Sequence, residues 1–445
     1  MNESMPDSEP VFAAWVGIDW ADQEHVWILE VADTGQRQGG KLPHTPEAIE
    51  AWAAALAARF DGRPVAVGLE QARGALVYAL MKYGHLVLYP IHPATAARFR
   101  RALYPSGAKD DPRDADLLLE LLLRHRRQLR PLKPDTELTR KLQNLVEKRR
   151  QLVDEKTAQT NRITGQLKLY FPQMLDWFED IGSPLVGALL ARWPTLEQLQ
   201  AEPAAALSQF FRQHNCRSEA RLQQRLEQIP QARPILSDRA VVEPAVCFVQ
   251  ALLQVVAALR EGVAALDKEI EQAVAAHPDF FIFRSFPGAG PKLAPRLLAA
   301  FGSDRQRFHS AAQLASFSGI APVISRSGRA APWVHFRWAC PKFLRQSFHE
   351  FAAQSILKST WAREFYDRQR ARGKGHHAAL RSLAFKWIRI LFRCWQARTP
   401  YQQELYRRPS PPHPPLQPLR PRSGKTMDLQ FKKVAGLSKS VGLSS

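Results

Sequence analysis

Apolar positions change period several times over the first 130 residues. VFAAWVGIDWA and EHVWILEVAD read as two strands joined by a short turn, and GQRQGGKLP as a third strand weakened by its glycines and glutamines. TPEAIEAWAAALAARF has helical period, with Thr45 set to cap it and Pro46 at the first helical position. RPVAVGLEQ then reads as a buried strand, GALVYALMKYG as a helix and HLVLYPI as another strand, followed by helical TAARFRRAL and DADLLLELLLRH. A three-strand meander followed by strand–helix alternation predicts a mixed sheet with helices packed on it.

Beyond PLKPDTEL the pattern is helical. The stretch from about Leu138 to Tyr170 is basic, carrying Lys141, Lys148, Arg149, Arg150 and Arg162. Later, Val249, Leu252, Val256, Leu259, Val263, Leu266 and Ile270 recur at spacings of three and four. Such a heptad seam suits a coiled coil, or a helix packed within its own domain. From about His277 FIFRSFPGAGPKLAPRLLAAFG places a glycine turn before an apolar-periodic helix, and cation-rich helices run to about Arg398. PSPPHPPLQPLRPRSGKT is proline-rich, with disorder expected. The predicted fold class is thus α/β plus all-α: an α/β domain over 11–130, in the element order of ribonuclease-H-like folds, a helical or coiled-coil region over 136–275, a mainly helical domain over 277–398 and a tail over 408–445.

Charge sharpens this division. The chain has 62 Lys and Arg against 42 Asp and Glu, a net +20. Residues 1–95 hold 6 basic and 12 acidic side chains, so the remainder carries 56 against 30. A field of that sign favours a polyanion, with nucleic acid ahead of a membrane surface. AVCFVQALLQVVAAL, the nearest approach to a spanning segment, is interrupted by Gln250 and Gln254. Four dispersed cysteines without a CxxC pair argue against a zinc site or disulfide framework, so a cytoplasmic, nucleoid-associated protein is expected.

The acids of the first domain are the candidate chemistry. Asp19 lies among apolar strand residues and Glu70 ends the next buried strand in the same way. Buried carboxylates need a partner or a metal ion. In SGAKDDPRDADLL, Asp111, Pro112 and Asp114 have the spacing of a helix cap, and Asp111 and Asp114 also share one helix face, as metal ligands would. Asp110 and Asp116 point away from that face. Four carboxylates suit a hard cation such as Mg²⁺, and paired ions can stabilise both oxygens of a phosphoryl displacement.

In the second half, the SFPGAGPKLAPRLL turn, with Lys292, could hold a DNA phosphate at a helix start or serve as an ordinary glycine turn. Lys342, Arg345 and His349 fall at helical spacing, as do Arg381, Arg389 and Arg393, and the one-sided charge favours phosphate contact. Trp333, Phe336 and Trp338 could stack on bases or enter a core. In GIAPVISRSGRAA, Ser327 stands between Arg326 and Arg329. It is either a turn residue or a hydroxyl among phosphate-binding groups.

VGIDWA, VGLEQ and SGAKDDPRDA, followed in order by FPGAGPKLAPRLLAAFG, RFHSAAQLASFSGIAP and SRSG, resemble the DEDD transposases of bacterial insertion sequences, the IS-one-ten group that includes Piv-type DNA invertases. The resemblance covers roughly Trp15 to Trp395. It implies a RuvC-like first domain with Asp19, Glu70, Asp111 and Asp114 as Mg²⁺ ligands, and Ser327, with Ser325 as a near neighbour, as the nucleophile that forms a phosphoserine with cut DNA. It further implies guidance by a structured non-coding bridge RNA pairing with donor and target DNA, and dimers or tetramers that join one subunit's acids to another's serine. Nucleic-acid contacts are expected from Lys109, Arg149, Arg150, Lys292, Arg326, Arg329, Arg345, Arg389 and Arg393. The chain departs from the family pattern in its tail and in ISRSGRAAPWVHFRW, which has little glycine after SG.

Three alternatives stand beside this reading. A junction resolvase of the same fold would use water as nucleophile. A sugar-kinase-like phosphotransferase would want a glycine- and threonine-rich turn after Asp19, where the chain has Trp20, Ala21 and Asp22. A non-catalytic nucleic-acid-binding protein would use the acids structurally.

Overall fold

Five strands ending at Pro90 form one mixed sheet: β1 (Ala14–Asp19), β2 (Glu24–Val31), β3 (Arg37–Pro43), β4 (Val65–Leu69) and β5 (Leu86–Pro90). Their order is β3-β2-β1-β4-β5, with β1, β2 and β3 antiparallel and β1, β4 and β5 parallel. The computed structural model describes residues 10–70, 73–103, 111–216, 218–326, 333–335 and 337–406. Helix α1 (Pro46–Arg59) connects β3 to β4 and α2 (Ala75–Leu80) connects β4 to β5; α3 (Pro93–Leu103) and α4 (Asp111–His125) follow. Thr45 caps α1 by accepting a hydrogen bond from the Ala48 amide, with Pro46 in the first turn, as its sequence predicts.

Strand alternation sorts the side chains into two layers. Val16, Ile18, Val65 and Val67 pack against Ile49, Ala53 and Leu56 of α1 and Leu76, Val77 and Leu80 of α2. On the opposite face, Ala66 and Tyr89 meet Leu122 of α4. All five residues of β4 are buried because the sheet is covered on both sides.

On the α4 face, β1 and β4 offer glycine at matched positions, since Gly17 and Gly68 are register partners. A Cβ added to Gly17 would fall on the carbonyl oxygen of Ala115 and 2.5 Å from the Leu119 nitrogen, whereas one on Gly68 would stand 3.2 Å from the Leu118 carbonyl oxygen. The α4 backbone therefore lies directly on two bare strand positions. Each glycine precedes an acid by two residues, so Asp19 and Glu70 project on that same face.

The turn after Asp19 is held by a buried histidine. His25 Nδ1 accepts from the Ala21 amide at 3.2 Å, which assigns the ring proton to Nε2, 2.9 Å from His44 Nδ1. His44 returns its own amide to the Gln23 carbonyl at 2.7 Å. Burial, and then the neighbouring His44, push the His25 pKa down to about 4.

Helix α5 (Glu137–Tyr170) is followed by α6 (Gln173–Trp177), α7 (Pro184–Arg192), α8 (Leu196–Gln200), α9 (Ala204–Gln213) and α10 (Glu219–Gln231), and then by the long α11 (Arg239–Ala275). The heptad positions Val249, Leu252, Val256 and Ile270 are buried, and α11 packs along α5 of the same chain, so the observed partner of the seam is internal. Phe171, Met174, Leu189, Trp193, Phe210 and Phe211 fill the core beneath the short helices. By length and composition alone α11 could cross a membrane, with a mean hydropathy of 1.8 over its most apolar window. Here its inward face is occupied by protein.

The last helices are α12 (Phe280–Arg284), α13 (Gly290–Phe301) and α14 (Ala311–Phe317); the hairpin β6 (Val323–Ser325) and β7 (Trp333–His335) leads to α15 (Lys342–Lys358), α16 (Thr360–Ala371) and α17 (His376–Ala397). Phe283, Phe301, Phe348, Phe351, Trp387 and Trp395 are fully buried among them. Residues through Tyr401 form one compact unit. Of the unit from Gln402 to Ser445, only the stretch to Tyr406 lies among the described residues.

Gly17→Ala is expected to cost about 3 kcal/mol in urea unfolding, because helix backbone must move, whereas Gly68→Ala should cost no more than about 1 kcal/mol. His25 supplies a pH prediction. Its folded pKa is depressed below 6.5, so the unfolded chain takes the proton first. Stability from this site is full above pH 6.5 and is lost as pH falls toward about 4, by roughly 2–3 kcal/mol. Chemical denaturation across that window should show the loss in the parent protein and a smaller one in His25→Gln.

Candidate active site

The parallel register that pairs Ile18 with Leu69 sends Asp19 and Glu70 out of the sheet side by side, at the carboxyl ends of neighbouring strands. Adjacent strands lie about 4.8 Å apart. Both residues are half-buried. In open α/β sheets this strand end is where ligands bind. Asp114, in the first turn of α4, is 3% exposed and lies beside Ala115, whose carbonyl abuts Gly17. The glycine contact thus seats the first turn of α4, which carries Asp114, against β1.

Asp114 is held by an arginine that the sequence reading did not single out. Arg100, near the end of α3, donates from Nε to Asp114 Oδ1 at 2.6 Å, while its Nη2 stands 3.8 Å from Glu70 Oε1. A signal existed in the run FRRALY, whose cations precede the acid-rich segment. Asp116 turns away from the site, as its helical position predicts, and pairs with Arg37 at 3.0 Å. Arg37 also meets Glu30 at 2.7 Å, fastening α4 to the meander edge.

Asp111 opens α4, but its side chain is outside the described residues, as are Lys109, Ser327, Arg329 and Phe336. Among the described residues, no three His, Cys, Asp or Glu side chains gather closely enough to hold a metal ion. The chemistry of the donors nonetheless fits one: Asp19, Glu70 and Asp114 offer carboxylate oxygens alone, as hard divalent cations require.

Three of the expected nucleic-acid contacts also make ion pairs within the chain. Arg149 and Lys292 both bind Asp267, at 2.5 Å each, and Arg150 pairs with Asp154 at 2.6 Å and Glu350 at 3.3 Å. These pairs clamp α5 to α11, α13 and α15. The glycine turn before α13 also has a packing role: Gly288 has φ +82°, and a Cβ there would stand 2.8 Å from the Gln354 backbone on α15.

Other cations remain on the surface. Arg326 is exposed just beyond β6, and Arg389 and Arg393 are exposed on α17. Arg345 lies half-buried against the Arg337 carbonyl and Cys340 at the foot of the hairpin. Burial and then Arg368 and Arg389 lower the Lys386 pKa, and burial and then Arg345 lower that of Arg381. Trp338, after β7, is 82% exposed. Ser325 Oγ lies 3.5 Å from His335 Nδ1 across the hairpin.

Residues 16–172, which contain all four candidate acids, match a family model described as transposase. Residues 282–367, which contain Ser327, match the transposase family of IS116, IS110 and IS902. The chain is 30% identical over 411 residues to a mini-circle transposase candidate for IS117 from Streptomyces coelicolor, covering 89% of this chain and 97% of that protein. It is 31% identical over 373 residues to the 43.6 kDa protein of insertion element IS110 from the same organism, covering 82% and 89% of the two chains. The 42 kDa protein of IS900 from Mycobacterium paratuberculosis is 26% identical over 388 residues, 85% of this chain and 94% of that one. With its acids and its serine hairpin each inside a matching region, the chain belongs to the transposase family of the IS110, IS116 and IS902 insertion elements.

Proposed function

We propose that the protein cuts and rejoins DNA through the hydroxyl of Ser327, with Mg²⁺ held by Asp19, Glu70, Asp111 and Asp114. What supports this reading is that Asp19 and Glu70 end the paired strands β1 and β4 and that Arg100 bridges Glu70 and Asp114. The sheet order β3-β2-β1-β4-β5 supports a ribonuclease-H-like, RuvC-like character for this layer. Bound Mg²⁺ would supply Lewis-acid stabilisation of charge on the phosphoryl oxygens. Ser327 Oγ forms a bond to phosphorus as a sugar oxygen leaves, and a second strand's sugar hydroxyl reverses the exchange. The phosphodiester count is unchanged, so no energy source is needed. Arg326 and Arg329 flank the serine to steady the phosphoryl charge.

Arg345, Arg389 and Arg393, with the neighbouring Lys386 and Arg381, offer a cationic face for DNA phosphates, and Trp338 a stacking surface for a base. A structured non-coding RNA as guide rests on the family resemblance. Assembly into dimers or tetramers is supported by a second apolar stripe on α11: Val241, Phe248 and Val255 recur every seven residues and are 36%, 45% and 43% exposed.

The test separates serine attack from water attack. Ser327→Ala and Asp19→Ala should each reduce strand joining in Mg²⁺ by about 10³-fold or more, with EDTA matching Asp19→Ala. A covalent protein–DNA adduct should be trapped with the parent protein and be absent with Ser327→Ala. Undiminished cutting by Ser327→Ala, with loss only in Asp19→Ala, would instead identify a resolvase-type nuclease.

A further inference from the structure

We propose that Arg100 is a positioning residue that clasps Glu70 and Asp114 and must withdraw before a divalent ion can take the same carboxylates; this rests on the metal reading above. One guanidinium reaches both acids from the last turn of α3, through Nε to Asp114 and through Nη2 toward Glu70. Glu70 comes from the end of β4, and Asp114 from α4. The Asp114 side chain is only 4% exposed, so its charge depends on protein partners more than on water. The Arg100 side chain is 26% exposed, which leaves it a route outward.

A guanidinium carries its charge at every physiological pH, so protonation cannot release the clasp. Its positive charge and its donors are directed at the oxygens that an ion would coordinate. A divalent ion would therefore meet the loss of the hydrogen bond to Asp114 and of the ion pair with Glu70, and repulsion between two cations. Arg100 gives the acids a counter-charge in the ion-free protein and opposes ion binding to the same degree. The two effects are thermodynamically linked, since whatever the clasp contributes to the ion-free state is subtracted from ion affinity.

Arg100→Gln removes the cation and leaves Glu70 and Asp114 with one positive charge fewer between them. Titration of the purified full chain with Mn²⁺, followed by electron paramagnetic resonance without DNA, reads ion affinity apart from catalysis. Arg100→Gln should bind Mn²⁺ about tenfold more tightly than the parent protein, and Asp114→Asn more weakly than either. In EDTA, Arg100→Gln should melt below the parent, and Mn²⁺ should raise its melting temperature by the larger increment. Arg100→Lys, which keeps the charge but presents a single ammonium, should fall between the two in affinity. If circular dichroism shows that Arg100→Gln does not fold, this comparison decides the question. Unchanged or weaker Mn²⁺ binding in the Arg100 variants would overturn the clasp while the metal reading stands. An absence of Mn²⁺ binding in the parent and all variants would overturn the metal reading and the clasp with it.

Discussion

The close approach of α4 to the sheet, through Gly17 and its register partner Gly68, is the contact on which the candidate site depends. A side chain at Gly17 would lift the helix, and one at Gly68 would press on it. The same strand parity that exposes two bare backbones to α4 also projects Asp19 and Glu70 on that face, two residues further along each strand. Strand pairing, helix packing and acid placement are therefore one arrangement. Arg37, binding Glu30, Asp116 and Glu120, secures the outer side of α4, and Arg100 secures the inner side.

Electrostatics divides the remaining chain into two populations of cations. Arg149, Arg150, Lys292 and Arg296 meet Asp267 and Glu350 between helices, where partial burial makes such pairs costly to break. Lys386 and Arg381 have pKa values lowered first by burial and then by the neighbouring Arg368 and Arg389, and Arg345, respectively. The exposed Arg326, Arg389 and Arg393 add positive charge to the surface, which an anionic partner would offset. A transposase meets that partner as the DNA backbone.

Much of the α/β layer was legible because its signals are local: alternation in WVGIDW, an apolar run in VAVGL, and Thr45-Pro46 at a helix start. The reason for glycine in VGID and VGLE was not legible, since it lies in a helix far along the chain. The seam from Val249 to Ile270 was visible as a period, but a period does not name its partner, which proved to be α5. The sign of the charge on Arg149, Arg150 and Lys292 could be read, but their pairing with Asp267 and Glu350 arises only on folding. Arg100 was hidden for the same reason, because its pairing with Asp114 and Glu70 arises only on folding. The acids beside Ser327 in the functional reading were identified by resemblance and by residue type, not by any distance the sequence contains.

Diffraction from crystals of the full chain soaked in Mn²⁺, with anomalous scattering used to locate the ion, tests the central claim most directly. The account predicts manganese above the ends of β1 and β4, with carboxylate oxygens of Asp19, Glu70, Asp111 and Asp114 about 2.0–2.2 Å away, as for a hard divalent cation. Manganese bound elsewhere on the protein, with none of these carboxylates in its coordination shell, would contradict it.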